Sequence, residues 1–133
     1  MLQNYSRYKV LQEFFDFPRK NFQIREMSRR ISLAQVSVIK HLKELVKSGF
    51  VLKEKKGIYP TFRANRDSDD FKMLKKQNIL WRLHKSGILN YIDDKIKPDC
   101  IVVFGSSSRG EDTEESDIDI YVQFNAKIYE GME

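Results

Sequence analysis

The residue types best suited to chemistry lie in one stretch, FGSSSRGEDTEESDIDI, at positions 104–120. Asp117 and Asp119 are one residue apart, and because side chains alternate along a strand, both carboxylates are expected on one strand face. Two carboxylates so close repel each other unless a cation neutralises them, and oxygen ligands of this kind suit Mg²⁺ or Mn²⁺. The aspartate pair therefore predicts a divalent-metal site.

The Gly105–Ser106 turn predicts a phosphate site beside that metal. Glycine lets a phosphate approach the backbone, while backbone N–H groups and the Ser106 hydroxyl can donate to phosphate oxygens. Arg109 adds a positive charge that either assists the phosphate or braces the loop through nearby acids. An acidic surface hairpin after a glycine turn is the alternative. A P-loop and a nucleophile elbow fit worse, since the stretch lacks Gly-Lys-Ser/Thr and Gly-x-Ser-x-Gly.

The pattern Gly105-Ser106, Arg109-Gly110 and Asp117-x-Asp119 resembles the nucleotidyltransferase superfamily that includes DNA polymerase beta, above all its small minimal members. The resemblance implies transfer of a nucleoside monophosphate from a nucleoside triphosphate to an acceptor hydroxyl, with metal assistance. It implies that Asp117 and Asp119 are the catalytic, metal-holding pair, and that Gly105, Ser106 and Arg109 bind the nucleotide.

Strands are expected on both sides of this motif. The run from Ile101 to Phe104 is apolar throughout, which predicts a strand covered on both faces. The alternation in SDIDIYV predicts a second strand that anchors Ile118 and Ile120 in a core. Family members usually carry a third carboxylate on a later strand, and QFNAKIYEGME shows no convincing one. An incomplete domain is therefore expected.

Apolar residues at three- and four-residue steps predict helices over the rest of the chain. The predicted helices lie at about 5–15, 24–31, 35–47, 71–85 and 88–96. A tight turn at 32–34 joins the second helix to the third. A hairpin follows, with strands at 51–53 and 58–63 and a turn at 55–57 whose glycine can take positive φ. Asp67, Ser68 and Asp69 are candidates to cap the fourth helix.

The order of helix, helix, tight turn, helix and hairpin over residues 22–65 resembles the winged helix-turn-helix of small transcription regulators. Ser32 stands where glycine is common, and Ala34 where a serine or asparagine often caps the next helix. The expected fold class is α+β. A winged helix-turn-helix at 1–66 is followed by a linking helix at 67–85 and an incomplete α/β nucleotidyltransferase-like domain at 86–133.

Charge separates the two halves of the chain. Residues 1–66 hold 15 Lys or Arg against 5 Asp or Glu, a balance of +10, whereas residues 67–133 have a balance of −5. The basic half predicts a polyanion partner, double-stranded DNA. In the fold it resembles, the start of the third helix enters the major groove. The candidates for base edges are Gln35, Ser37 and Lys40, and those for phosphates are His41, Lys43, Lys47, Lys55 and Lys56.

The composition indicates the cellular location in which the protein is expected. The longest apolar runs are a few residues, too short to span a membrane, and the N-terminal stretch lacks the apolar core of a signal peptide. Cys100 is the single cysteine, so an intramolecular disulfide is excluded and a cytoplasmic location is expected. A partial sheet exposes strand edges, which favours a homodimer.

Two classes of function remain open at this level. One is a magnesium-dependent nucleotidyltransferase that a winged helix brings to nucleic acid or to a partner. The other is a transcription regulator or antitoxin-like binding module, whose degenerate nucleotidyltransferase half only binds nucleotide or mediates dimerisation. The basic half has its own alternative, a scaffold or dimerisation unit with a solvated basic face. Whether the chain is an enzyme is left open, because the third carboxylate is not recognised.

Overall fold

A computed structural model shows a mixed α+β chain with helices throughout and two small antiparallel sheets. The structure describes residues 5–55, 57–105, 109–113, 116 and 118–123. The chain forms two compact units, Met1–Lys72 and Met73–Glu133. In the described residues, no helix combines the length and apolar character needed to span a membrane. The domain boundaries predicted from the sequence stay a prediction.

The elements follow the predicted order. The helices are α1 (Ser6–Asp16), α2 (Ile24–Ile31), α3 (Gln35–Lys47), α4 (Asp69–Ser86) and α5 (Ile88–Ile96). The strands are β1 (Val51–Glu54), β2 (Thr61–Ala64), β3 (Cys100–Phe104) and β4 (Asp119–Gln123). The observed bounds of α2, α3 and α5 coincide with the predicted ones, because apolar spacing and turn residues mark both ends of each helix.

The core of the first unit is built where α1, α2 and α3 meet the β1–β2 hairpin. Its buried apolar side chains come from every one of these elements: Val10, Leu11, Phe14, Phe15, Met27, Val38, Leu42, Leu45, Val51, Phe62 and Ala64. Phe22 joins the hairpin to the helices. Its backbone exchanges hydrogen bonds of 2.7 and 2.8 Å with Phe62, and its ring lies edge-on to Phe14 at 5.3 Å.

The α2–α3 connection is the predicted tight turn. Ser32 ends α2 in the left-handed region with φ 53°, a conformation that glycine adopts at lower cost. The Ser28 hydroxyl donates to the Leu33 carbonyl, and the Leu33 N–H donates to the Ser28 carbonyl at 3.1 Å. These bonds satisfy polar groups at the end of α2, so the turn forms without the glycine that is common there.

The hairpin loop is longer than predicted. Pairing of β1 with β2 ends at Glu54↔Thr61, so the predicted strand start at Ile58 is wrong, and residues 55–60 connect the strands. Pro60 has no N–H to donate, which prevents the ladder from continuing. Gly57 is not among the glycines with positive φ. The loop leaves Ile58 88% and Tyr59 65% exposed.

Helices α4 and α5 start and stop at the predicted signals. The Phe71 N–H donates to the Ser68 hydroxyl at 3.2 Å, which confirms Ser68 as a cap. Gly87, with φ 79°, separates the two helices. The Ser86 hydroxyl donates to the Leu83 carbonyl at 2.8 Å and satisfies one of the last acceptors of α4.

Strands β3 and β4 pair antiparallel, with Val102 opposite Tyr121 and Phe104 opposite Asp119. The prediction of a strand covered on both faces is wrong. Cys100 and Val102, whose side chains share one face of β3, are exposed, whereas Ile101 and Val103 are half-buried, so one face of the strand is open to solvent. The predicted core position of Ile118 is also wrong. It precedes β4 and is 45% exposed.

Candidate functional site

The exposed face of α3 carries the predicted DNA contacts of the first unit. Val38, Leu42 and Leu45 are buried, which turns the opposite side of the helix outward. Gln35, Lys40, Lys43 and Lys47 are exposed and Ser37 is half-buried. Lys55 is exposed beyond β1, and Lys56 lies outside the described residues. Three of the predicted lysines thus share one solvent-facing side of a single helix.

His41 occupies a different environment from these lysines. It is half-buried and lines a pocket of about 650 Å³ between the start of α1 and the end of α3, together with Arg7, Tyr8 and Glu44. Its Nδ1 is buried and makes no hydrogen bond to any described residue. Burial first, then the charges of Arg7 and Lys40, lower the pKa of His41. This environment favours the neutral imidazole over the charged one.

In the second unit, Gly105 and Asp119 lie against each other. Gly105 follows β3 directly, adopts φ 79°, and is next to Phe104, the residue paired with Asp119. A Cβ placed on Gly105 would be 2.5 Å from Asp119 Oδ2 and 3.5 Å from its Cγ. Only glycine combines this backbone conformation with so close an approach. Both residues were predicted from the sequence as site residues, and the strand register brings them together.

The loop after the turn is held by its own polar groups. Arg109 is exposed, and its Nε donates to Glu111 Oε2 at 3.1 Å, the bracing role that was one of its two predicted alternatives. Gly110 is buried with φ 67°. Thr113 and Ser116 close a turn through two 3.0 Å hydrogen bonds. The turn ends one residue before Asp117, which lies outside the described residues, as does Ser106.

Lys75 is the residue that sequence reasoning missed. Its side chain is buried, its Nζ donates to the Asp112 backbone carbonyl, and the same Nζ lies 3.6 Å from Asp112 Oδ1. A buried ammonium needs such partners, because desolvation without them is costly. The sequence does contain a pattern that predicts this burial. Lys75 lies between Phe71 and Ile79 at four-residue steps along α4, on a side of the helix that is otherwise apolar. It ties the loop to the helix.

The stretch that contains Gly105 and Asp119 is similar to a known family. Residues 86–133 match the family model "Polymerase beta, Nucleotidyltransferase". The match begins at the end of α4 and includes the predicted phosphate turn and both predicted metal ligands. A nucleotidyltransferase assignment is thus supported for this nucleotidyltransferase-like stretch.

A relative supports the same assignment. A Methanocaldococcus jannaschii protein named "Putative protein adenylyltransferase MJ1379" is 45% identical over 58 residues, which are 44% of this chain and 54% of that protein. The chain therefore spans about half the length of the curated relative it matches.

A solved structure is similar at a lower sequence identity. It is titled "Possible transcriptional regulator from Methanosarcina mazei Go1", and it shares 12% identity over 71% of this chain and 82% of that one, with a TM-score of 0.47. At that TM-score the likeness does not establish a shared fold.

The residues of the nucleotidyltransferase-like stretch fit a divalent metal by donor type. Asp119 is exposed, its carboxylate lies against Gly105, and carboxylate oxygens are ligands that Mg²⁺ and Mn²⁺ prefer. In the described part of the chain, no three His, Cys, Asp or Glu side chains gather into a metal cluster. Asp119 is the member of the predicted pair whose position the structure describes.

Proposed function

We propose that the nucleotidyltransferase-like stretch is the nucleotide-binding part of a metal-dependent nucleotidyltransferase. The observation that carries the proposal is the contact of Asp119 with Gly105, within residues that match the family model. Gly105 and Ser106 bind the triphosphate, Arg109 assists them, and Asp117 with Asp119 holds Mg²⁺ or Mn²⁺. The name of the M. jannaschii relative supports an adenylyl group, supplied by ATP, as the group transferred and a protein as the acceptor.

The chain's own residues then have separable tasks. The missing side chain at Gly105 makes room for the Asp119 carboxylate against the backbone, where that carboxylate would hold a divalent ion beside the turn. When bound, a divalent ion neutralises phosphate charge beside the aspartates. The acceptor oxygen attacks the α-phosphorus, the bond to the pyrophosphate oxygen breaks, pyrophosphate leaves, and the hydroxyl proton passes to solvent or a base.

A transfer assay tests this proposal. The full chain is incubated with α-labelled ATP, Mg²⁺ and candidate protein acceptors, itself included, and label in protein is measured. We expect Asp119→Asn to lower transfer by at least about 10- to 100-fold, the loss typical for removal of groups that support metal ligands. Asp94→Asn removes an exposed carboxylate from α5 and serves as the control. Transfer that survives the combined Asp117→Asn and Asp119→Asn changes would refute the assignment.

A second function is favoured by the row of exposed lysines on α3. We propose that residues 1–66 are a winged helix-turn-helix that binds double-stranded DNA, with α3 in the major groove and the β1–β2 hairpin as the wing. The order α2, turn, α3, hairpin and the +10 balance of this half support it. In a regulator, the nucleotidyltransferase-like stretch would sense nucleotide or support a homodimer through the edges of β3 and β4. Such a role and the single, exposed Cys100 suit a cytoplasmic protein.

Salt dependence tests DNA binding. Affinity for duplex DNA should fall as salt rises, because lysines displace counterions from phosphates. Replacing Lys40 and Lys43 by alanine should weaken binding and reduce the slope of log affinity against log salt by about 1, at ~0.9 for the predicted phosphate contact of Lys43. The matched control replaces Lys76 and Lys95, two exposed lysines of α4 and α5, by alanine. Equal slopes for both double variants would contradict the proposed face.

A further inference from the structure

The exposed row on α3 begins with an apolar residue. Val36, Lys40, Lys43 and Lys47 follow one another at steps of four, three and four residues, which places them on one side of the helix. All four are exposed, and Val36 is 79% exposed. The burial of Val38, Leu42 and Leu45 on the opposite side is what holds Val36 in solvent. Folding of this unit therefore gives Val36 no packing role.

The hairpin loop adds further apolar surface beside the start of α3. Gln35, Ile39, Tyr59 and Pro60 line one pocket of about 290 Å³, with side chains from the start of α2. Ile58, next to Tyr59, is the most exposed large apolar side chain described in this unit. Gln35 therefore borders both Val36 and the exposed loop. The start of the exposed α3 face thus carries the Gln35 amide and several apolar groups, whereas the rest of that face carries lysines.

The charge on this face selects among partners. Three lysines in a row favour a polyanion over a second copy of the same basic surface, which would repel it. Val36 precedes Lys40 by about 6 Å along the helix axis, at ~1.5 Å per residue. That distance fits within a major groove about 12 Å wide, so lysines can reach phosphates while Val36 and Gln35 reach base edges.

We propose that Val36 is a specificity residue that contacts a thymine methyl group while Gln35 pairs with adenine, so that this face selects A·T pairs. The proposal rests on the DNA-binding function proposed for residues 1–66. Apolar side chains contact the thymine C5-methyl, and a glutamine amide matches the adenine N6 and N7 pair. Valine is the one uncharged member of the α3 row, and it stands at the helix end that enters the groove.

The test removes the methyl group from the DNA and the valine from the protein. Duplexes that bind the full chain are selected from a random-sequence pool, and each thymine of the selected site is replaced in turn by deoxyuridine, which lacks only the C5-methyl. We expect one replacement to weaken wild-type binding about fourfold, the worth of one buried methyl group. Val36→Ala should weaken binding to the thymine duplex by a similar factor and respond no further to that replacement. Val102→Ala, an exposed valine of β3, should behave as wild type.

The outcomes separate this inference from the function on which it rests. If no deoxyuridine position matters while the Lys40 and Lys43 change still weakens binding, the methyl contact is refuted and DNA binding stands. If duplex DNA does not bind at low salt, both fail. If Val36→Ala changes the concentration dependence of self-association and leaves DNA affinity intact, the patch joins copies of the chain, and the inference is overturned. Thermal melting of each variant confirms that its fold is intact.

Discussion

The carboxylate of Asp119 lies on the Cα of Gly105, so closely that a Cβ on residue 105 would come within 2.5 Å of Oδ2. This contact arises because Phe104 is the register partner of Asp119, which places residue 105 one step beyond the last pair. The glycine is therefore needed for two separate reasons, its positive φ and the carboxylate beside it.

Gly105→Ala separates those two reasons. We expect it to lower the free energy of unfolding by about 1–2 kcal/mol for the left-handed backbone, and further for the overlap with Asp119. Gly87→Ala is the matched control, since Gly87 also has φ 79° and its Cβ would meet nothing within 4 Å. Urea unfolding measures both. In an Asp119→Ala background, the cost of Gly105→Ala should fall to that of Gly87→Ala; an unchanged cost would contradict the contact.

Lys75→Met tests the tie between α4 and the loop at 109–113. Removing Nζ leaves the Asp112 carbonyl without its buried donor and the carboxylate without its ion pair. We expect a loss of about 1–3 kcal/mol, together with faster amide exchange in the loop, measured by hydrogen exchange. Lys76→Met, at the exposed neighbouring lysine, should change neither quantity. Loss of stability without faster exchange in the loop would show that Lys75 does not position it.

His41 should make stability depend on pH. Its pKa in the folded state is lowered from the ordinary value of 6.5 by burial and by the charges of Arg7 and Lys40. Between pH 6.5 and the lower folded pKa, the unfolded state therefore binds more protons at His41 than the folded state does. The contribution of His41 to the free energy of unfolding is intact above pH 6.5 and is lost as pH drops through 6.5 and then through the folded pKa. Urea unfolding of His41→Gln should show less of this loss, whereas His84→Gln should retain it.

Ser32→Gly should stabilise the protein. Serine at φ 53° pays a left-handed backbone cost of about 1–2 kcal/mol. Glycine avoids that cost but loses more entropy on folding, so a net gain of ~0.5–1 kcal/mol is expected. Ser48→Gly is the control, because Ser48 follows α3 with ordinary right-handed φ and ψ. That variant should be less stable than the wild type or equally stable. A higher thermal midpoint for the Ser48 variant than for the Ser32 variant would contradict this reasoning.

Local patterns were sufficient for most helices. The bounds of α2, α3 and α5 follow from apolar spacing and from the turn residues beside them, because a helix satisfies its hydrogen bonds within its own segment. Ser68 as a cap and Gly87 as a break follow from the same local chemistry. The α+β class with its order of elements could be predicted on this basis.

Strand limits could not be predicted in the same way. The strand predicted from Ile58 begins at Thr61, and the strand predicted around Asp117 is observed from Asp119. A strand exists only where a partner offers hydrogen bonds, and the partner of each residue lies elsewhere in the chain. Apolar composition likewise predicted cover on both faces of β3, but cover depends on what packs there.

For the candidate sites, the sequence by itself determined the chemical groups: a glycine at position 105, carboxylates at Asp117 and Asp119, and lysines repeated along α3. The tertiary structure alone decided that the Asp119 carboxylate lies on Gly105, that Lys75 is buried against Asp112, and that Val36 is left in solvent. Residue types follow from the sequence, whereas distances and exposure arise only when segments far apart in the chain pack together.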